Sequence, residues 1–256
     1  MPERATVLGL PVDVLDMPEA VNRVAACLGD RASGRPGPLH VVTMNAEMAM
    51  QAQRDPGLGD IIREAGLVVA DGSGVVWAVR RQHPGRPVRK VAGVELVREL
   101  AAHGASLGWR FYLLGGQPGV AAAAGHALVS AYPGLCVAGC RDGFFGVEQE
   151  ADVLAEVRAA RPDVLLVALG VPRQEKWIRH HQSALGVPVA MGVGGSFDVL
   201  AGRVRRAPVA FRRLHLEWLF RLLQEPWRLQ RMRATLPAFV REVLSRPSGP
   251  SSEVQS

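Results

Sequence analysis

The chain has 256 residues, 48% of them hydrophobic and 21% charged, and a formal net charge of +6. That length holds one large domain or two small ones with a substantial core. The three cysteines, Cys27, Cys136 and Cys140, are too few, and odd in number, for a disulfide framework; they suit a reducing cytoplasm, and the close pair lacks the second pair that a zinc site needs. The N-terminal stretch "MPERATVLGLPVD" lacks the apolar core of a signal peptide, and no apolar run reaches the roughly 18 residues required to cross a bilayer.

Taken in chain order, short β-rich runs alternate with helical patterns. The first strand is predicted over 5–9 and is followed by a helix over 17–29, which opens on Asp16 and Glu19, a capping-box variant. A strand over 39–44 leads to helices over 46–54 and 58–65. A strand over 67–70 leads to helices over 73–81 and 93–107. Strands over 110–114, 135–139 and 163–169 lead to helices over 118–131, 148–160 and 173–184, and a strand over 187–192 closes the series. This alternation predicts an α/β fold, a Rossmann-like, mostly parallel sheet with helices on both faces. The continuous apolar runs "DVLLVALG" and "RFYLLGG" fit strands buried on both sides.

Charge divides the chain unevenly. Residues 1–202 carry 19 Lys or Arg against 20 Asp or Glu, whereas residues 203–246 carry 11 Arg against 3 Glu. We read 1–202 as the α/β domain, 203–246 as a basic amphipathic helical appendage and 247–256 as a disordered tail. In the appendage Leu216, Leu219, Leu222, Leu223, Leu229, Met232, Leu236, Phe239, Val240 and Val243 recur at helical spacing. Such a basic segment implies an anionic partner. Arginine interleaved with Leu, Trp and Phe suits a lipid surface better than nucleic acid, and Arg221, Arg228 and Arg231 are placed to meet anionic headgroups. The competing reading is that the stripe packs on the body and completes its core.

The strands give way to a distinctive set of turns: Met44-Asn45, Asp71-Gly72-Ser73-Gly74, Gly115-Gly116-Gln117, Asp142-Gly143-Phe144, Gly170 to Glu175, and Gly194-Gly195-Ser196-Phe197-Asp198. In open α/β sheets ligands bind beyond the carboxyl ends of the strands. The same residues also serve ordinary βα turns, but six such turns in register favour a ligand edge. "DGSGVVW" is not a dinucleotide fingerprint, because Trp77 stands where the third small residue belongs. Gly115-Gly116 and Gly194-Gly195 are candidates to present N–H groups to phosphate, although neither lies in a P-loop pattern. Arg173 and Gln174 open a helix where both could face an anion, or "RQEKW" is a solvated turn with Trp177 in the core. His180-His181 reads as part of a surface helix. Asp71 is open between two roles: a base for an attacking hydroxyl and an N-cap for the next helix. No Asp-x-Asp pair is present to hold a divalent cation.

The motifs "TMNAEM", "LVVADGSGVVWA", "LLGGQPGV", "DGFF", "LGVPRQEKW", "GVGGSFDVLAGRVRRAP" and "LEWLFRLLQEPWR" together resemble the WecG/TagA/CpsF glycosyltransferase family, from about residue 5 to residue 240. The resemblance implies an inverting enzyme of cell-surface polysaccharide or teichoic-acid-type synthesis. It would move N-acetylmannosamine or a related sugar from a UDP-sugar to a polyprenyl-diphosphate-linked saccharide, without metal or cofactor, at the inner face of the cell membrane. It assigns Asp71 as base, with Thr43 and Asn45 as the Thr-x-Asn motif beside it. Gln174 falls near the donor diphosphate, and Asp198 and Phe144 at the uracil. The family's basic residue before V-x-G falls on Lys90, with Arg89 just ahead, and either one can meet the anion. Met44 stands where the family usually has Pro, and Phe144 where it often has Tyr. The alternative reading is a non-catalytic, membrane-associated UDP-sugar-binding module. The sequence allows a homo-oligomer.

Overall fold

Strand-forming and helix-forming segments alternate so regularly that nearly every strand is followed by a helix that covers it. The computed structural model describes residues 3–29, 38–82, 88–205, 207–208, 211, 217–224 and 228–246. The chain opens with β1 (Arg4–Val7) and β2 (Leu10–Asp13), then α1 (Met17–Gly29), β3 (Leu39–Met44), α2 (Ala46–Ala52), α3 (Pro56–Glu64), β4 (Leu67–Ala70), α4 (Ser73–Gln82) and α5 (Gly93–Leu107). It continues with β5 (Arg110–Gly115), α6 (Val120–Ala131), β6 (Cys136–Arg141), α7 (Val147–Ala160), β7 (Val164–Ala168), α8 (Arg173–Leu185), β8 (Val189–Gly192) and α9 (Ser196–Leu200). Two further helices follow, α10 (Glu217–Gln224) and α11 (Arg228–Ser245).

Six strands form one sheet in the order β4-β3-β8-β7-β5-β6, and every pairing in it is parallel. Alternate residues of each strand enter opposite layers, as the strand period requires. Val41, Phe111, Leu113, Leu166 and Met191 pack with α1, α5, α6 and α9. On the other face, Val42, Met44 and Val68 pack with α2, α3, α4 and α11. Beside them Tyr112, Leu114, Leu165 and Val167 pack with α7 and α8.

The first strand departs from the expectation of 5–9. Leu8 and Gly9 both have positive φ, 54° and 78°, which is the twist of a two-residue hairpin turn. The chain therefore doubles back into β2, antiparallel to β1 and outside the main sheet. Pro11 hid this strand, because a residue without an N–H reads as a break. The hairpin covers one sheet edge: the buried Asp13 carboxylate accepts the Val68 N–H at 2.7 Å and pairs with Arg4 at 2.8 Å. At the other edge β6 is half-buried along its whole length.

The capping box at α1 forms in both directions, Asp16 N–H to Glu19 and Glu19 N–H to Asp16, at 2.7 and 3.1 Å. In the basic C-terminal region, Gln224 closes α10 by exchanging two 2.9 Å hydrogen bonds with the backbone of Arg205. Phe239 and Val243 of α11 are buried, Phe239 to 1% exposure, in the cluster shared with β1, β2, α2 and α4. Leu229, Val240 and Leu244 of the same helix are exposed. Among the described residues no helix is long and apolar enough to cross a membrane. Trp227 and the tail 247–256 lie outside the described residues, as do the side chains of Trp218, Arg221, Arg228 and Arg231.

Candidate active site

Between neighbouring strands the chain's course reverses repeatedly along the carboxyl edge, and two of these reversals bear on the site. After β5 the chain enters α6 on one face, and after β7 it enters α8 on the other. After β3 it enters α2, and after β8 it enters α9, again on opposite faces. Each reversal leaves a crevice between adjacent strand ends, where ligands bind in open α/β sheets. The residues singled out in the sequence fall around these two crevices.

Beside the β3–β8 crevice, β3 and β4 run parallel with Met44 opposite Ala70, so Thr43, Asn45 and Asp71 emerge side by side. The Asp71 N–H donates to the Met44 carbonyl at 2.8 Å. Asn45 caps α2, its side-chain oxygen accepting the Met48 N–H at 2.9 Å. The Asp71 carboxylate accepts the Gly93 N–H at 3.2 Å, at the first residue of α5. Gly93 also lies against Thr43: a Cβ added there would come 3.2 Å from Thr43 Cγ2. The arrangement holds a half-buried carboxylate at a helix N-terminus, between a threonine and an asparagine.

Gln174 and Gly194 meet at the end of β8. Gln174 is 1% exposed; its Oε1 accepts the Gly194 N–H at 3.0 Å and its Nε2 donates to Glu175 Oε1 at 2.9 Å. The other Glu175 oxygen lies 2.7 Å from His40 Nε2. The Ser196 N–H of the same turn goes to the Val193 carbonyl at 3.1 Å, and Gly195 between it and Gly194 is exposed. The Thr43 hydroxyl donates to the Gly192 carbonyl at 3.1 Å, which ties this turn to the β3 end.

At the β5–β7 crevice, Gly115 and Gly143 allow backbone to meet backbone. A Cβ on Gly115 would lie 2.4 Å from the Ala168 carbonyl oxygen, and Gly115 has φ of +124°. The Gly116 N–H is spent on that same carbonyl at 3.0 Å, and the Gly143 N–H on the Gly116 carbonyl at 2.9 Å. Arg173 clamps the loop after β6, donating to the carbonyls of Gly143 and Phe145 at 3.3 and 3.0 Å, with its guanidinium 4.9 Å from the centre of the Phe145 ring. Phe144 is left 63% exposed, an open aromatic face at the ligand edge.

The remaining candidates are more dispersed. Asp198 is half-buried in α9, and its carbonyl accepts the Arg203 and Val204 N–H groups. The loops bearing Asp198 and Phe144 follow β8 and β6, three positions apart in the sheet, roughly 14 Å at ordinary strand spacing. A base held by both must lie across β7 and β5. Arg89 is exposed and Lys90 half-buried; the following residue, Val91, bonds to the Ala70 carbonyl at 3.0 Å, which puts both cations near the end of β4. Among the described residues no three His, Cys, Asp or Glu side chains are grouped to hold a metal ion.

His40, Gly93 and Gly192 were not singled out in the sequence, and Gly143 and Glu175 only as members of turns, yet the structure puts them in or beneath the site. The spacing 174, 178, 181, 185 was available as a signal, but polar residues at two of those positions disguise a buried face. His181 shows the same effect: it is buried against Trp177, with Nε2 3.1 Å from Glu150 Oε1, where a surface position was expected for both histidines. Only His180 is exposed.

Fold and edge together define a Rossmann-like α/β protein with a carboxylate and glycine turns at the carboxyl ends of its strands. The model of the WecG/TagA/CpsF glycosyl transferase family matches residues 5–252. Over 204 residues the chain is 35% identical to the N-acetylglucosaminyldiphosphoundecaprenol N-acetyl-beta-D-mannosaminyltransferase of Bacillus subtilis (strain 168), covering 80% of this chain and 78% of that one. The chain belongs to the WecG/TagA/CpsF glycosyltransferase family.

Proposed function

We propose that this glycosyltransferase inverts the anomeric centre as it transfers N-acetylmannosamine, or a closely related sugar, from its UDP derivative to a polyprenyl-diphosphate-linked saccharide. The observation that carries the reading is the convergence of Thr43, Asn45 and the Asp71 carboxylate at the ends of neighbouring strands. The relative's name supports the acceptor class and the sugar. In this mechanism Asp71 takes the proton of the acceptor hydroxyl while the hydroxyl oxygen forms a bond to the anomeric carbon. The bond from that carbon to the diphosphate oxygen breaks on the opposite face, and its electron pair leaves with UDP. Fixed donors meet the new charge: the Gly195 N–H, the α8 N-terminus and arginines of the edge. Phe144 stacks on the uracil and Asp198 hydrogen-bonds it.

Arg221, Arg228 and Arg231 meet the acceptor diphosphate or anionic headgroups, and the exposed Leu223, Leu229, Val240 and Leu244 rest at the membrane surface. The test is an assay of UDP release with a panel of UDP-sugars and a polyprenyl-diphosphate-linked N-acetylglucosamine acceptor. The reading requires release that depends on acceptor, yields an inverted linkage and persists in EDTA. Release that ignores the acceptor, or that EDTA abolishes and Mg²⁺ restores, overturns it.

A further inference from the structure

Burying a carboxylate costs several kcal/mol unless its partners repay the lost hydration, so a glutamate with no exposure at all calls for an explanation. Glu175 is 0% exposed. It lies in the first turn of α8, beneath the crevice between β3 and β8, with its two oxygens directed to different elements. One sits 2.7 Å from His40 Nε2 on β3, and the other accepts from Gln174 Nε2. In this contact the Glu175 oxygen is the acceptor. It therefore dictates which end of the Gln174 carboxamide faces it, and leaves the amide oxygen to receive the Gly194 N–H at 3.0 Å. Were the amide reversed, its NH₂ would confront the Gly194 N–H, donor against donor.

Space for this chain of contacts is made by a missing side chain. A Cβ on Gly192 would come 2.3 Å from Glu175 Oε1 and 2.6 Å from Gln174 Nε2. The Gly192 carbonyl in turn accepts from the Thr43 hydroxyl. One buried glycine thus joins the base side of the site to the turn on its other side.

We propose that Glu175, oriented by His40, is a positioning residue that fixes the Gln174 carboxamide and through it the Gly194-Gly195 turn facing the leaving diphosphate. This rests on the reading of that edge as the donor site. The relay sets a geometry before the substrate arrives, which is where electrostatic stabilisation of a leaving group gains most. A purely structural role for the same contacts would show in stability and leave the chemical step alone.

The experiment combines Glu175→Gln, Gln174→Ala, their double variant and Gly192→Ala, the last displacing both side chains while removing neither. Glu175→Gln should lower kcat by about ten- to hundred-fold, the range for losing a partner that orients a functional group, with KM for the acceptor nearly unchanged. The double variant should be no slower than Gln174→Ala alone, because Glu175 acts through Gln174. Hydrogen exchange at the Gly194 amide, measured by NMR without substrate, should quicken about ten-fold or more in Glu175→Gln and Gly192→Ala. If Glu175→Gln does not fold, His40→Gln carries the same exchange and kcat measurements with the carboxylate in place. Unchanged exchange at Gly194 overturns the relay, as do additive losses in the double variant. Faster exchange with undiminished turnover in both Glu175→Gln and Gln174→Ala overturns instead the reading of this edge as the donor site.

Discussion

In its proposed role as base, Asp71 is held in two ways. Its backbone is pinned by the 2.8 Å bond to Met44, and one carboxylate oxygen is oriented by the Gly93 N–H. Asp71→Asn keeps an oxygen that can accept the Gly93 N–H but cannot take a proton. Transfer should fall about 10²–10⁴-fold while UDP affinity, followed by calorimetry, stays unchanged; a variant that retains most of its activity refutes the assignment. Away from the site, burial and the neighbouring Glu156 carboxylate push the Tyr112 phenol up to about 12. The folded state therefore favours the neutral phenol. That contribution to stability is complete below pH 10 and is lost as the pH climbs towards 12. In a Tyr132→Phe variant, where Tyr112 is the sole tyrosine, phenolate absorbance should appear near pH 12, and a midpoint at 10 would refute the burial argument.

Two helices show how an element can also serve the site through its ties and its packing. Polar side chains on the inner face of α8 act as ties: Gln174 to the Gly194 turn, Gln182 to the Leu39 carbonyl at 3.1 Å and His181 to α7. At its outer face Lys176 reaches Asp55, the cap of α3, at 2.6 Å, and holds that carboxyl below the usual carboxylate range, with the Leu58 N–H adding to the effect. The helix α11 works by packing. The Phe239 ring fills the space over Gly74, where a Cβ would lie 3.5 Å from it and 3.3 Å from Ala46. Gly74 follows Asp71 by three residues and Ala46 follows Asn45 directly. Phe239→Ala should cost about 3–5 kcal/mol of stability, the range for large-to-small changes in a core, measured by denaturant unfolding. A chain cut after Gln224 should lose at least as much. A cost below about 1 kcal/mol would mean that α11 only rests on the body.

Over the whole molecule, a near-neutral body carries an arginine-rich C-terminal region, and α11 faces two ways, Phe239 and Val243 inward, Val240 and Leu244 outward. Burying Val240 and Leu244 in the headgroup region adds apolar area to an attraction between arginine and anionic lipid, and the electrostatic part weakens as salt shortens the Debye length. Val240→Glu with Leu244→Glu should therefore reduce binding to vesicles rich in anionic lipid about ten-fold or more, with the melting temperature little changed. Wild-type binding should fall as salt is raised from about 0.05 to 0.5 M. Vesicle binding that survives the double substitution would point to a different surface.

The alternation of apolar strands with helical periods was sufficient to read the parallel α/β sheet, because strands buried on both faces and helices buried on one carry distinct local periods. For the same reason the helices at 17–29 and 93–107 were readable to the residue. The carboxyl-edge residues Asn45, Asp71, Gly115 and Gly194 were legible because polar and glycine residues interrupt apolar runs there, whereas Thr43, inside an apolar strand, was marked only by the family resemblance. Strand order left no mark on the local sequence: only the folded sheet makes β3 a neighbour of both β4 and β8, and so joins Thr43 to Asp71 and Gly192. The burial of Glu175, Gln174 and His181 was invisible for a related reason. A polar side chain reads as exposed until its partners, supplied by β3, β8 and α7, are brought up to it. The hairpin was hidden by Pro11 within β2, and the inward face of α11 by the arginines around it. Local periodicity is written into the chain; partnership between distant segments exists only once the tertiary fold has closed.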